Sequence, residues 1–486
     1  MTIILVLDLG SSSTRAIAFD EHARPVPDIY AREPVGFSSG QPGQSEDDSS
    51  LAVHRARSVL VTALAQCAAR GITHVDAVAI DAYAGSLIAL DQTCNPITPV
   101  LTYADTRAAT IAMRLREQWD ELADLQRTGA RTRANYAPAR LAWWREIQPD
   151  LFDQAATFVS LPDLVRLKLF GSISTSLSLA SWNGLIDRQS RSWDATWLDR
   201  LSIRSTQMPV ISEALITLSG LSDDLAALEG AQLIPAIGDG AAANLGSGCV
   251  DASNIAVTIG TTAAMRIMTK TTPDILPNAL WQYQLGTTRS LTGGALSEGG
   301  NVVAWLRDTM NLPNPQTAEA ALQAADPDAH GLTILPLIAG ERSPGYSDTP
   351  GATVHGIVIG TTALQMQQAW MEAVALRLAL VSESLKHLAA PGAQLIASGG
   401  ALYGSPAWCQ MIADACDRQL HVCEEPEATA RGAAIHALEH LGVVGAVDQA
   451  PLGRIFSPDA ARSEAYRKAR DRQIALYNKL HLSTKS

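Results

Sequence analysis

The chain has no run of uncharged apolar residues long enough to span a bilayer, which argues against a membrane-embedded protein. No basic region precedes an apolar core at its N-terminus, and Asp8 interrupts the apolar stretch there, so a secretory leader is not expected. Cysteine is sparse. Cys67, Cys94, Cys249, Cys409, Cys416 and Cys423 are six in 486 residues, and none forms a CxxC pair. That pattern excludes a disulfide scaffold and predicts reduced, mostly packed thiols in a cytoplasmic protein. Positive charge is in deficit, with 37 Lys and Arg against 49 Asp and Glu and a net charge of −12. Such a balance argues against a nucleic-acid partner or a polybasic membrane surface, while leaving a local basic site open. Neither a GxxxxGK(S/T) loop nor an HRD/DFG pair occurs, which closes the P-loop and protein-kinase routes to phosphoryl transfer. No short-period repeat points to a solenoid.

What is present is a globular composition, 47% hydrophobic, over a length that suggests about two to four folding units. The stretch around which the chain is organised is Ile3–Asp20, IILVLDLGSSSTRAIAFD, which reads as strand, tight turn, strand. Gly10 permits a close backbone approach, Ser11, Ser12 and Ser13 add hydroxyls, and Arg15 adds a charge suited to phosphate. Asp8, at a strand end, is placed to hold a hydrated divalent ion. Such a turn can cradle a polyphosphate through its amides, or it can be an ordinary serine hairpin. A second copy shifts the balance. In Asn254–Met268, NIAVTIGTTAAMRIM, Gly260, Thr261 and Thr262 match Gly10, Ser11 and Ser12, while Thr258 stands where Asp8 would. Two such hairpins suggest duplicated halves closing on one nucleotide.

Between them, Ser50–Gly71 has helical spacing, and Val75–Ala82 reads as a strand ending near Tyr83 and Gly85. Asp105 and Arg107 lie near another strand end, where ligands collect in open α/β sheets, or form a surface ion pair. Ala108–Leu125 reads as one amphipathic helix, and Arg127–Arg140 as a basic loop whose four arginines either accept an anion or solvate the loop. Leu161–Leu169 is helical, Ser176–Leu185 small and polar, and Trp193-Asp194 opens a further helix. Gln232–Asp239 is a strand running into Gly238-Asp239-Gly240, where Asp239 either reaches a ligand or caps a helix. In the second half, Leu291–Trp305 is a glycine-dense strand-to-helix turn carrying Gly299 and Gly300. Ile334–Ser343 ends in the charged pair Glu341-Arg342, and Thr361–Ala389 is a long helix. Leu395–Ala401 is a strand entering Gly399-Gly400-Ala401, a backbone surface that a purine could approach, followed by a helix over Pro406–Ala415. Thr429–Leu441 is helical, and the chain from Gly442 is expected to be peripheral. His436-Ala437-Leu438-Glu439-His440 matches the H-x-x-E-H pattern of some zinc proteases, but without a local third ligand it reads as a solvated helix end.

Taken in order, the motifs resemble the FGGY carbohydrate kinases of the actin/hexokinase-like ATPase superfamily. They are DLGSSSTR at Asp8, ADTR at Asp105, the TG…YxPxRLxW block at Thr128–Trp143, GDGAAANLG around Asp239, IGTT at Gly260, GER at Gly340 and ASGGA…QMIAD at Ala397–Asp414. YADTRA, DGAAANLGSG, VTIGTTAAMR and GGALSEGGNVVAWLRD look most like the gluconate kinase branch. The resemblance implies an α/β fold of two actin/hexokinase-like (RNase H-like) domains around a central cleft, over 1–245 and 246–445, with an extension over 446–486. It implies ATP and Mg2+ as cofactors, a small-molecule sugar or sugar acid as acceptor, and a homodimer as one expectation for assembly. Asp239 would be the general base, and Asp8 would hold the metal through water. Gly10, Ser11, Ser12, Ser13 and Arg15 would hold phosphates with Gly260, Thr261, Thr262, Gly299 and Gly300. Gly399, Gly400 and Ala401 would lie against adenosine. Tyr83, Gly85, Asp105, Arg107 and Asp239 would line the sugar site. Departures from the family pattern fall at Ala84 and Gly85 in place of an aromatic or Met followed by His, at Arg140 in place of a Lys, and at Arg133 in place of a His. Arg131, Arg133 and Arg140 could supply a positive field for a sugar carboxylate. The rival readings are a pentulose or polyol kinase of the same family and an ATP-binding sensor without turnover.

Overall fold

The computed structural model describes residues 2–347, 351–443, 445 and 447–481. Its core is a pair of seven-stranded sheets built on one plan. In the first, Ile4–Leu9 runs antiparallel to Ser13–Phe19 and parallel to Ala77–Ala82. Both Ile4–Leu9 and Ala77–Ala82 are buried at every position, as continuous apolar strands covered on both faces must be. Pro25–Pro34 extends the sheet on the hairpin side, and Gln232–Leu233 and Ile216–Thr217 extend it on the other. In the second sheet, Asn254–Ile259 is likewise antiparallel to Ala263–Thr269 and parallel to Gln394–Ser398. Arg289–Leu296 and Trp281–Leu285 continue it on one side, and Leu420–Cys423 on the other. The duplication read from Gly10 and Gly260 is therefore a duplication of sheet topology.

Each sheet has its own apolar core. Helix Ser49–Ala69, capped by Asp48 accepting from Leu51 N at 2.8 Å, inserts Ala56, Val59, Leu60 and Ala63 against Leu5, Leu7 and Leu9. Helix Ala363–Leu385, started by a Thr362–Gln365 capping box, packs Trp370, Val374 and Val381 against Val257 and Met265. A third cluster joins the halves. Helices Asp239–Gly246 and Ala428–His440 share it with Ile4 and Val6 of the first sheet. They cross backbone to backbone: a Cβ on Gly246 would overlap the Ala428 carbonyl, and one on Gly432 the Ala242 carbonyl.

Several elements differ from the sequence reading, each for a local reason. Ala108–Leu125 is two helices, Ala109–Gln118 and Glu121–Thr128, because Asp120 leaves the helix to cap the second, accepting from Leu122 N and Ala123 N at 2.9 and 3.0 Å. The end of the basic segment is helical over Ala137–Ile147, with Pro138 in its first turn. The polar stretch after Ser176 holds a short helix, Leu177–Trp182, capped by Ser176. Gln232–Asp239 is two short strands, Gln232–Leu233 and Ile237–Gly238, separated by Pro235, which has no ladder donor. The C-terminal extension is not peripheral. Leu452–Phe456 adds the last strand of the second sheet, and helix Ala460–His481 buries Tyr466 and Ala469 in the second core. Residues 446 and 482–486 of that extension lie outside the described residues. All six cysteines are free thiols, and among the described residues no helix is long and apolar enough to cross a membrane.

Candidate active site

Both hairpin turns are closed by the N–H of their glycine, across three residues in the first and two in the second. Gly10 N donates to Ser13 O at 3.1 Å, and Gly260 N donates to Thr262 O at 3.0 Å. A Cβ at Gly10 would lie 2.8 Å from Ser13 O, so the first turn has room only for glycine. Ser12, Gly260, Thr261 and Thr262 are exposed and Ser11 is half-buried, so these turn residues can meet a ligand. Ser13, grouped with them on sequence, is instead the buried first residue of the return strand.

Gly299 and Gly300 brace the second turn from behind. Gly300 N donates to Gly260 O at 2.7 Å, Asn301 N donates to Thr261 O at 3.1 Å, and a Cβ on Gly299 would lie 2.5 Å from the Thr262 carbonyl carbon. Gly399, at φ +101°, packs so tightly on Ile259 that a Cβ would overlap its carbonyl. Beyond Gly399 the structure opens into a pocket of about 620 Å³ lined by Thr261, Gly300, Gly400, Ala401, Met371 and Trp408 among others. A Cβ at Gly400 would meet nothing within 4 Å, so its backbone faces that space.

In the first half, carboxylates gather at the strand ends. Asp8 pairs in register with Asp81 of Ala77–Ala82, and Ile237 pairs with Asp81 from the other side. Asp239 follows as the first residue of helix Asp239–Gly246. The capping alternative fails, because the N-cap position is Gly238 and no side chain caps this helix. Burial pushes the Asp239 carboxyl up to about 6, while Arg266 and the Gly240 N–H favour its ionised form. Arg266 comes from the second sheet, where it donates to Thr258 Oγ1 at 3.3 Å. Trp182 packs under the same turn, 2.9 and 2.8 Å from the Cβ positions of Gly238 and Gly240, and stacks on Tyr283 at 4.3 Å. Arg15 points away from the phosphate role read from sequence. Its Nε donates to Asp8 Oδ2 at 3.0 Å, and its Nη1 donates to Glu427 Oε2 at 2.6 Å. Asp81, Arg266 and Trp182 carry no role in the sequence reading.

Both halves match models of the FGGY family of carbohydrate kinases, its N-terminal domain over residues 3–246 and its C-terminal domain over 255–439. The chain belongs to that family. It is a phosphotransferase that uses ATP and acts on a small carbohydrate or related molecule. Among curated relatives, the gluconokinase of Bacillus licheniformis is 26% identical over 92% of this chain and 89% of that protein. The glycerol kinase of Polaromonas naphthalenivorans (strain CJ2) is 28% identical over 92% and 93%. Two solved structures from Lactobacillus acidophilus, a gluconate kinase and a ligand-bound xylulose kinase, each superpose with a TM-score of 0.89 at 21% identity, covering 99% of this chain and 98% of theirs. At that identity they establish the fold alone.

Several residues expected at the sugar site of this FGGY kinase are engaged otherwise in the structure. Tyr83 turns into the first core, edge-on to Phe37 and Tyr103 at 5.7 and 5.8 Å, and its hydroxyl is buried without a partner among the described residues. Gly85 takes φ +74°, and Arg140 fixes its carbonyl together with those of Thr102 and Ala134. Arg140 is therefore a buried strut beneath the loop and not a carboxylate receptor. Asp105 does not line an open site. It is buried, accepting from Ser45 N at 2.9 Å and from Arg107. Arg107 is held between Asp105 and Glu46 with its guanidinium 4.7 Å from the Trp143 ring. Arg131 and Arg133 share Glu121 at 2.8 and 2.7 Å and lie over the Tyr346 ring, which reduces the free positive field expected of them.

The remaining charged motifs are structural. Glu341 and Arg342 do not pair with each other: Glu341 pairs with Arg377, and Arg342 donates to Leu296 O. His436 is buried and not solvated, and burial with the His440 ring 4.3 Å away holds its pKa well below the usual range. Glu439 pairs with Arg289, so the H-x-x-E-H segment offers no ligand set. Asp328, His330 and Glu372 cluster elsewhere, but His330 Nδ1 accepts from Leu332 N at 2.9 Å and its Nε2 meets Glu372 at 3.0 Å, so both ring nitrogens are committed.

Proposed function

We propose that this kinase transfers the γ-phosphoryl group of ATP to the terminal hydroxyl of a sugar acid of the gluconate type, with Asp239 as general base. One observation carries the reading. Asp239 opens a helix between the two phosphate hairpins, and burial raises its carboxyl to about 6, high enough to accept a proton and low enough to be ionised at neutral pH. The acceptor O–H gives its proton to the Asp239 carboxylate as its oxygen bonds to the γ-phosphorus, and ADP leaves with the electrons of the broken P–O bond. Phosphoryl transfer asks the protein for positioning and charge neutralisation more than for covalent chemistry. In this reading Gly10, Ser11 and Ser12 face Gly260, Thr261 and Thr262 across the phosphates. Gly400 and Ala401 lie along the adenosine, and the pocket of about 620 Å³ is ample for it. Gly299, Gly300 and Gly399 hold the second turn in shape.

Mg2+ fits the first half. The Asp81 oxygens are buried with no donor, and Asp8 lies beside them, so the strand ends present negative charge that a cation would neutralise. Bound there, Mg2+ would supply charge neutralisation to the phosphates, with Asp8 holding it through water. Arg15 orients Asp8 rather than binding phosphate. We take the domains as 1–245 and 246–445, the second completed by strand Leu452–Phe456 and helix Ala460–His481 of the extension, and the protein as cytoplasmic.

The similarity to a gluconokinase over nearly the whole chain supports the sugar-acid assignment, while the 28% identity to a glycerol kinase is as consistent with a polyol. A pentulose or polyol acceptor is the second reading. It is favoured by the engagement of Arg131 and Arg133 with Glu121, which leaves less positive charge for a carboxylate. A panel of aldonates, pentuloses and polyols, assayed by coupled ADP release, tests the assignment. Gluconate or a related aldonate should give the highest kcat/KM, and a pentulose or polyol ahead of every acid would overturn it.

A further inference from the structure

Asp81 is a carboxylate to which the catalytic reading assigns no direct contact. It is fully buried, and no hydrogen-bond donor among the described residues reaches either of its oxygens. Its strand neighbour in register is Asp8, and side chains at paired positions of parallel strands leave the sheet on the same face. The two carboxylates therefore stand side by side. The strand on its other flank pairs Ile237 with Asp81 and leads two residues later to Asp239, whose charge also bears on Asp81. The nearby cations make their direct bonds elsewhere: Arg15 bridges Asp8 and Glu427, with its charge also felt at Asp81, and Arg266 bears on Asp239 from the second sheet. A buried, unpartnered carboxylate beside a second one is unfavourable unless a proton or a cation joins it.

We propose that Asp81 is a metal-site residue, and that with Asp8 it allows the protein to bind a divalent cation of the Mg2+ class before any nucleotide arrives. Mg2+ retains several waters and is typically bound through one or two carboxylates, which is what this pair offers. Arg15 donates to Oδ2 of Asp8, so Oδ1 is the oxygen that would be left for the cation. A site with a single carboxylate would instead depend on the phosphates of ATP to bring its metal. The inference rests on the assignment of Asp8 to the metal.

Mn2+ is the probe, titrated into the full-length protein without nucleotide at fixed neutral pH and followed by the electron paramagnetic resonance of free Mn2+, with Mg2+ as competitor. The wild type should bind Mn2+ at one Mg2+-competed site. Asp81→Asn should weaken it by about tenfold or more, as changes around a metal site commonly do, and Asp81→Ser should do the same. Circular dichroism checks that both variants fold. Wild-type binding only in the presence of an ATP analogue would overturn the proposal without any variant. Unchanged or tighter Mn2+ binding in Asp81→Asn would also overturn it, and would indicate a proton shared by Asp81 and Asp8. Asp8→Asn separates the premises: if it leaves Mn2+ affinity intact, the Asp8 assignment falls with the proposal. If it weakens binding and Asp81→Asn does not, only the proposal falls. Loss of Mn2+ in Asp81→Asn would stand even if no sugar in the panel were phosphorylated.

Discussion

Arg266 of the second sheet reaches across the junction of the halves to act on Asp239 of the first, and it is the largest influence favouring that carboxylate's ionised form. Its Nε lies 3.3 Å from the Cβ position of Gly240, the residue that follows Asp239. A carboxylate of one half is thus tuned by a cation of the other, so its proton affinity depends on how the halves are seated.

A pH profile follows. A general base works ionised, so kcat/KM should fall as pH drops through about 6, where burial and Arg266 together set the Asp239 carboxyl. Arg266→Gln removes the favourable cation and leaves the desolvation, so the acidic limb should move to higher pH. Steady-state rates across the acid range check this, and an unmoved limb in Arg266→Gln would show that Arg266 does not tune the base.

Asp239→Asn keeps the shape of the side chain and removes its capacity to take a proton. Turnover should drop by about 10²- to 10⁴-fold, the usual share of general-base catalysis, with ATP affinity nearly unchanged. Single-turnover rates and calorimetric ATP binding separate the two effects. Near-normal turnover at saturating acceptor would remove Asp239 from the mechanism.

Much of this site is legible in the amino-acid order, and the unread part shares one cause. The hairpins at Gly10 and Gly260 announce themselves because apolar strands flank a glycine followed by hydroxyl residues, although only the Gly10 turn excludes a Cβ, and Asp239 stands out between two glycines at a strand end. Asp81 also carries a signal, a charge near the end of the apolar run VDAVAIDA. Its meaning depends on sheet register, which sets it beside Asp8 and which no local pattern encodes. The arginines show the same limit. Arg15, Arg131, Arg133 and Arg140 have the right chemistry for anions, yet their partners are Glu427, Glu121 and loop carbonyls supplied by tertiary packing. The tail beyond Gly442 looks peripheral by composition, because a strand that completes a distant sheet edge needs little apolar periodicity of its own.

The glycine crossing of the halves makes a stability prediction. Gly432→Ala places a methyl where the Ala242 carbonyl already lies, so helices Asp239–Gly246 and Ala428–His440 must separate. Overpacking of this kind costs about 1–3 kcal/mol or more, and the melting temperature should fall accordingly. Because the first helix begins with Asp239, kcat should fall too, even well below the melting transition. Gly404→Ala is the stability control, since its Cβ would meet only the Gly400 carbonyl at 3.7 Å. Equal melting of the Gly432→Ala variant and the wild type would mean that the crossing yields without cost.

The last prediction concerns the choice of acceptor, which turns on Arg133. Its loop abuts the Ala84-Gly85 loop, with the Asn135 carbonyl 3.3 Å from the Cβ position of Gly85. The small pair Ala84-Gly85 removes side chains that would otherwise fix a substrate, so recognition of a carboxylate falls to guanidinium groups nearby or to water. Arg133 and Arg131 are both tied to Glu121, which holds them in place and also competes with any bound acid. Arg133→Ala should therefore raise KM for gluconate more than for xylulose or ribulose. Glu121→Gln should do the opposite, removing the competing charge and lowering KM for acids with little effect on neutral sugars. The pair of variants distinguishes a carboxylate site from a merely structural loop, because damage to the loop would raise KM for acids and neutral sugars together in both. If neutral pentuloses exceed every acid in wild-type kcat/KM and neither variant changes the ratio, the gluconate reading fails while the kinase assignment stands.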